Sequence, residues 1–280
     1  MRSFLLSSGR RIAFREYGDP QGYTVVLAHG NLNSSQFNPC WDKTQDKTKA
    51  IRLIAVDRPG YGDSSFMKDR SYIDWAKDIN ELTTLLSIDK FVVAGYSSGG
   101  PHALSCVLDE RLIGPSKALG ACVISGDGPY AEQEGTLQRM YGLQQGFSLE
   151  DAVERTKIVY HEMKAGYEAI TDNTKRTMAL ADIEHAVKQG FQGAAQDSVL
   201  ESRFWGFSLK SISKPVRFWH GSEDTDVPVD ISSQYIFERL NFNVKNNLTI
   251  IPDENHSLIR RHWTAILEDI TQTFFKSSSL

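Results

Sequence analysis

The sequence predicts an α/β protein with a mostly parallel, doubly wound sheet and an inserted group of helices. Two observations lead to this fold class. In the first half of the chain, short apolar runs alternate with longer amphipathic ones. Strand patterns then disappear between residues 130 and 211 and resume afterwards. Alternation at this pace is typical of a parallel sheet covered by helices on both faces.

The strands of the first half are short and rich in β-branched residues, as is typical of strands buried on both faces of a sheet. One exception is the alternating run at residues 11–16, which predicts a more exposed strand. Buried strands are expected at residues 24–27, 51–56, 91–94 and 121–125. Helices are expected over residues 72–86, where apolar residues recur on one face, and over the small-residue stretch 98–108.

Residues 130–211 show only helical patterns and breaks. A capping box at residues 148–151 predicts an amphipathic helix that extends to about residue 163, and a second polar helix lies near residues 175–188. Strands return at residues 216–219 and 248–251, before a closing amphipathic helix. We therefore predict a core of residues 1–129 and 212–280, with a helical cap of residues 130–211 inserted in it.

Composition and charge exclude several classes of protein. Of 280 residues, 40% are hydrophobic, which is enough to fill a packed core. The net charge is only −4 and no basic run occurs, so nucleic acid is not expected as a partner. No apolar stretch has the length of a membrane span, and the apolar run at the N-terminus ends at Leu6, too early for a signal peptide.

Cys40, Cys106 and Cys122 are too few and too scattered for a disulfide framework or a zinc site. We therefore expect a cytoplasmic protein with reduced thiols and no metal. Residues 126–131 fit the GxGxxG/A pattern, but the polar residues after them are not the apolar helix of a dinucleotide site. No cofactor is expected.

A candidate nucleophile stands between a predicted strand and a small-residue helix. Gly95-Tyr96-Ser97-Ser98-Gly99 fits GxSxG, a pattern that a simple Gly/Ser turn also satisfies. Its place between strand and helix is the context that a nucleophile elbow requires. Such an elbow turns so sharply that the residues two before and two after the serine must be small, as Gly95 and Gly99 are. Ser97 would then stand above the sheet, with the positive end of a helix behind it.

A serine nucleophile needs a base, and the base needs a third group that orients it. Of seven histidines, His256 is the candidate base because it lies in the loop after the last predicted strand; His262, in the final helix, is the alternative. The candidate acid is Asp224, in the loop after the strand at residues 216–219. Asp127, at the end of the preceding strand, is the alternative acid.

Acyl transfer also needs two backbone N–H groups that stabilise a developing oxyanion. One is expected from Ser98, directly after the nucleophile. The other is expected from Asn31, in a loop after an early strand where Gly30 permits close approach. The candidate serine, acid and histidine thus follow in that order, each at the C-terminal end of a predicted strand.

With these motifs the chain resembles the α/β-hydrolase-fold proteins of the esterase, lipase and peptidase superfamily. The resemblance is carried by residues 29–31, 57–64, 95–100, 221–228 and 255–256. It implies that residues 57–64 shape the core beside the site without a catalytic role, and that the insertion is a cap that sets substrate choice. Serine at the elbow distinguishes the chain from haloalkane dehalogenases and epoxide hydrolases, which resemble this fold but use aspartate there.

We therefore expect a serine hydrolase that cleaves a small, largely uncharged carboxylic ester through Ser97, His256 and Asp224, by way of an acyl-enzyme. The alternatives are a peptidase, a lactonase, a C–C hydrolase, or a ligand receptor or lyase that reuses the pocket. No acidic cluster in the cap stands out as an amine anchor, which ranks the peptidase below the esterase.

Four aromatic residues near the two ends of the insertion are candidates for an apolar acyl pocket. They are Tyr130, Phe204, Trp205 and Phe207. Packing between cap and core is the alternative role for each of them.

Overall fold

The computed structural model describes residues 1–37, 39, 50–241 and 244–276. The strands within them are β1 (Arg2–Leu5), β2 (Arg11–Gly18), β3 (Tyr23–Ala28), β4 (Ile51–Val56), β5 (Phe91–Tyr96), β6 (Ala118–Ile124), β7 (Val216–Gly221) and β8 (Asn247–Ile251). They form one sheet in the order β1-β2-β4-β3-β5-β6-β7-β8. β2 runs antiparallel to its two neighbours, and all other neighbouring pairs are parallel. The sheet is therefore mostly parallel, as predicted.

The α-helices of the described residues are α1 (Tyr72–Leu85), α2 (Gly99–Ser105), α3 (Glu110–Ile113), α4 (Thr136–Tyr141), α5 (Leu149–Glu168), α6 (Asn173–Ala186), α7 (Gln192–Glu201), α8 (Ser233–Phe237) and α9 (Ile259–Ile270). Ser148 caps α5 as predicted, because its Oγ accepts a hydrogen bond of 3.1 Å from the Asp151 N–H. Helices α4 to α7 lie between β6 and β7, where the insertion is predicted.

Two apolar clusters pack on the two faces of the sheet. On one face, Trp75 of α1 and Ile236 of α8 pack with Phe218 of β7. On the other face, Trp263 of α9 packs with Val92 of β5. Because helices cover both faces, the sheet is doubly wound, and the carboxyl ends of its parallel strands meet at one edge where loops carry the polar side chains.

The structure also contains elements that the sequence patterns do not predict. The N-terminal apolar run forms the edge strand β1. Helix α7 lacks a clear apolar stripe because several of its buried residues are polar, namely Gln196, Asp197 and Glu201. A helix that buries polar groups gives no amphipathic signal.

The chain returns to the sheet layer soon after α7. Trp205 and Phe207 belong to the same apolar cluster as α1 and α8. The division of the chain at residues 130 and 211 stays a prediction.

Two further expectations concern membranes and thiols. Across residues 1–37, 50–241 and 244–276, no helix combines the length and apolar character that a bilayer crossing requires. Cys106 and Cys122 are free and buried, and burial raises the pKa of the Cys106 thiol to about 12. Cys40 lies outside the described residues.

Candidate active site

The turn between β5 and α2 places Ser97 at the carboxyl edge of the sheet. Its backbone is left-handed, with φ 55°, which is a strained conformation for serine. A Cβ atom at Gly95 would lie 2.2 Å from the Gly99 carbonyl oxygen, and one at Gly99 would lie 2.1 Å from the Ala28 carbonyl oxygen. Both positions therefore require glycine, and the sharp elbow that the sequence predicts is present.

The structure brings Ser97, His256 and Asp224 together in one chain of hydrogen bonds. His256 Nε2 lies 3.0 Å from Ser97 Oγ, and His256 Nδ1 lies 2.9 Å from Asp224 Oδ2. The other oxygen of Asp224 accepts hydrogen bonds from the N–H groups of Asp226 (3.1 Å) and Val227 (2.8 Å). The carboxylate is therefore fixed on one side by backbone and holds the imidazole on the other.

The electrostatics of Asp224 and His256 favour proton transfer from Ser97 to His256. Burial alone would raise the pKa of Asp224, but hydrogen bonds from His220 and His256 hold it below its usual value. Burial lowers the pKa of His256, and the hydrogen bond and charge of Asp224 outweigh this effect and raise it above 6.5. An ionised acid beside the imidazole stabilises the charge that the histidine acquires when it takes a proton.

The alternative acid and base are not members of this chain of hydrogen bonds. Asp127 Oδ1 accepts a hydrogen bond of 2.9 Å from the Tyr130 hydroxyl, and burial raises the pKa of Asp127 to about 6. His262 Nε2 lies 3.0 Å from Glu254 Oε1. The structure thus joins His256 to Asp224, and it gives Asp127 and His262 other partners.

The loop after β3 lies directly beside the serine. A Cβ atom at Gly30 would lie 3.2 Å from Ser97 Cβ, so the glycine permits the close approach that the sequence suggests. The side chain of Asn31 accepts a hydrogen bond from the Tyr61 hydroxyl (3.2 Å) and donates one to the Ala194 carbonyl of α7 (3.4 Å). The loop that carries Asn31 therefore lies against Ser97, and α7 holds this loop through the Asn31 side chain.

A second contact ties the same loop to the insertion. Asp182 of α6 accepts hydrogen bonds from the Asn33 side chain (2.8 Å) and from the Ser34 N–H (2.9 Å). Burial raises the pKa of this carboxyl to about 7. Two helices of the insertion thus fix the loop from one side.

A buried group of charges lies behind Ser98. The Arg58 guanidinium donates to the Ser98 carbonyl (3.1 Å) and to its hydroxyl (2.9 Å), and it pairs with Asp197 of α7 at 2.9 Å. Arg70 pairs with the other oxygen of the same carboxylate. Burial alone would raise the pKa of Asp197, but the charges of Arg58 and Arg70 hold it well below its usual range. An ionised carboxylate of the insertion is thus the counterion of the arginine that holds Ser98.

Sequence reasoning missed both Arg58 as a support of Ser98 and Asp197 as its partner. The signal that could have found the partner is the spacing of Asp197 and Glu201. Residues four apart lie on one face of a helix, so two carboxylates share that face of α7.

A cavity of about 570 Å³ opens above Ser97 and His256. Helices α4 and α5 form one of its walls, and α7 contributes Glu201. Its lining residues from both parts of the chain are Asn31, Asn33, Tyr96, Ser97, Ser98, Asp127, Met140, Tyr141, Arg155, Val159, Met163, Tyr167, Glu201, Asp226, Val227, His256, Ser257 and Arg260. A cavity of this size is in the range of small-molecule sites.

The four aromatic residues expected to line this cavity lie elsewhere, and the expectation is corrected. Trp205 and Phe207 are buried against Tyr72 of α1, with Trp205 5.7 Å from that ring. Phe204 is 63% exposed. Tyr130 is fully buried behind Asp127, to which it donates a hydrogen bond. The chain turns into the sheet layer after Glu201, which takes Trp205 and Phe207 away from the cavity.

One group of possible metal-ligating side chains is found within the described residues. Asp57, Asp63 and His185 offer ligand atoms within 4.8 Å of one another, and none of the three lines the cavity above Ser97. Their contacts are already explained by the protein, because Asp57 accepts hydrogen bonds from the Ser35 and Asp63 N–H groups and Asp63 pairs with Lys188.

The buried ion pairs of Asp197 with Arg58 and Arg70 predict that a conservative substitution of Asp197 strongly lowers stability. Asp197→Asn leaves two buried guanidinium groups without their carboxylate, and we expect it to lower the free energy of unfolding by about 3–5 kcal/mol. Urea denaturation measures the loss. Asp89→Asn, which removes an exposed partner of Lys117, is the matched control and should leave the denaturation midpoint unchanged. Equal midpoints for the two variants would contradict this role of Asp197.

A family model described as the α/β hydrolase fold matches residues 23–259. Proline iminopeptidase of Xanthomonas citri is 31% identical to the chain over 112 residues, which are 38% of this chain and 34% of that protein, so the match spans about a third of the curated relative. Two esterase structures are similar over nearly their whole length. EaEST from Exiguobacterium antarcticum has a TM-score of 0.73 and 21% identity, covering 97% of this chain and 99% of that one. RhEst1 from Rhodococcus sp. ECU1013 has a TM-score of 0.69 and 20% identity, covering 98% of each. Since the family model matches most of the chain, the protein belongs to the α/β-hydrolase fold family.

Proposed function

We propose that the protein is a serine hydrolase that cleaves a small carboxylic ester. The observation that carries this proposal is the unbroken chain from Ser97 Oγ through His256 to Asp224, with distances of 3.0 and 2.9 Å, at the floor of a cavity. The fold similarity to two esterases agrees with the proposal.

In the proposed reaction, His256 Nε2 takes the proton of Ser97 as Oγ attacks the ester carbonyl carbon. The backbone N–H groups of Ser98 and Asn31 stabilise the oxyanion that forms. His256 then gives its proton to the leaving alcohol, and an acyl-enzyme remains on Ser97. Water, deprotonated by the same histidine, releases the carboxylic acid and restores the serine.

Hydrolysis of an amide at an N-terminal residue is a second candidate function. It is supported by the local similarity to a protein named proline iminopeptidase. The same nucleophile and base would serve both reactions, and only the leaving group differs. Comparison of p-nitrophenyl butyrate with proline p-nitroanilide separates the two, since an esterase turns over the first much faster.

The proposed nucleophile and base lead to a direct prediction. Ser97→Ala and His256→Ala should each lower kcat for p-nitrophenyl butyrate by at least about a thousand-fold, because each removes a group that acts in the transition state. The matched control is His262→Ala, whose side chain contacts Glu254 instead and which should keep kcat near that of the wild type. Multiple turnover by Ser97→Ala would refute the mechanism. A single slow turnover by the wild type, with retained product, would favour a ligand receptor.

The proposed acid predicts a pH dependence. The base must be neutral to act, so kcat/KM should rise with pH through the pKa of His256, with a midpoint above 6.5 because Asp224 raises that pKa. Asp224→Asn removes the raising charge, so the midpoint should move to lower pH while kcat falls. Asp127→Asn should move the midpoint less. A larger shift in Asp127→Asn than in Asp224→Asn would show that Asp127 is the acid.

A further inference from the structure

One carboxyl group at the cavity has no partner for one of its oxygens. Glu201, on α7, lines the cavity and is only 6% exposed. Within the part of the chain that the structure describes, its Oε1 is buried and makes no hydrogen bond. Its Oε2 has one long contact of 3.4 Å with the Tyr141 hydroxyl. A buried carboxyl oxygen without a donor is costly, and a ligand that donates a hydrogen bond would relieve that cost.

A second carboxyl group lies nearby on the floor of the same cavity. Asp127 is also 6% exposed, and its backbone N–H donates to the Ser97 carbonyl at 3.2 Å. It therefore lies beside the proposed nucleophile. Burial raises the pKa of Glu201 well above its usual value, and the charge of Asp127 raises it further. Burial and mutual repulsion disfavour the ionised forms of these two carboxyl groups, and a cation bound at them would stabilise those forms.

Within the described residues, the arginines at or beside the cavity have other contacts, among them Arg260, whose guanidinium lies over the Phe37 ring at 5.6 Å. The Arg58 charge lowers the pKa of Glu201, but that guanidinium pairs with Asp197 at 2.9 Å and donates to Ser98. Arg155 lines the cavity with its guanidinium over the rings of Tyr141 (5.5 Å) and Phe147 (5.7 Å). The cationic group that would fit the carboxyl pair is thus one that a ligand brings.

We propose that Glu201 and Asp127 form a subsite for a protonated amino group of the substrate, and this rests on the proposed hydrolysis at Ser97. The substrate class is then an ester or amide of a molecule with an amino group near the scissile carbonyl. This replaces the expectation of a largely uncharged ester, which follows from the near-neutral net charge of the chain.

The test compares two esters that differ only in the amino group, L-alanine benzyl ester and benzyl propanoate. The measured quantity is the ratio of their kcat/KM values in the wild type and in Glu201→Gln. We expect the substitution to lower the ratio about 10- to 100-fold, the effect of losing a hydrogen bond to a charged group. Asp127→Asn should lower the ratio as well. The ratio cancels any general loss of activity or of folded protein.

Glu162→Gln is the matched control, since Glu162 is an exposed carboxylate on α5 outside the cavity. It should leave the ratio unchanged. A ratio that stays the same in Glu201→Gln overturns the subsite, while turnover of benzyl propanoate leaves the proposed hydrolase standing.

If the wild type hydrolyses no ester, the proposed function is wrong, but the subsite can still be tested. A binding measurement then tests it. Calorimetry on the Ser97→Ala protein compares butylamine, butanol and butanoate. The subsite predicts that butylamine binds at least about ten-fold more tightly than butanol and that Glu201→Gln removes the difference. Tighter binding of butanoate than of butylamine would overturn the subsite and indicate that Arg155 and Arg260 govern the cavity.

Discussion

The sharp turn at Ser97 is the constraint on which the rest of the site depends. It needs a left-handed serine and glycines at 95 and 99, because β3, β5 and α2 approach within distances that leave no room for a Cβ atom. The buried apolar clusters on both faces of the sheet supply the rigidity that holds this strained residue. Once Ser97 is fixed at the sheet edge, the loops after β7 and β8 bring Asp224 and His256 to it.

A layer of buried polar contacts joins the insertion to this edge. Asp182 of α6 accepts hydrogen bonds from the loop that contains Asn31. Asp197 of α7 pairs with Arg58, the arginine that donates hydrogen bonds to Ser98. Helices α6 and α7 therefore support both proposed oxyanion donors, whereas α4 and α5 form a wall of the cavity. Glu201, one turn beyond Asp197, extends the same polar face to the cavity, so a single helix supports the proposed chemistry and lines the cavity above it.

The sequence predicts the parts of this arrangement that depend on strong local signals. Central strands such as β5 begin with continuous apolar runs, and glycines flank Ser97 at positions 95 and 99 of the elbow. The sequence does not predict helix α7, because several residues of its buried face are polar. The roles of Asp197 and Glu201 are not predicted for the same reason. Trp205 and Phe207 follow α7 closely, and apolar side chains there suit a pocket and a core equally well. Their burial against Tyr72 is decided by tertiary packing.

Ser97 is the residue proposed to carry the acyl group during turnover. Rapid quenching of the wild type with p-nitrophenyl acetate, followed by mass spectrometry of the intact protein and of its peptides, tests this most directly. We expect a mass increase of one acetyl group that maps to Ser97 and is absent from Ser97→Ala. Turnover without an acylated Ser97, or an acetyl group that maps to another residue, would contradict it.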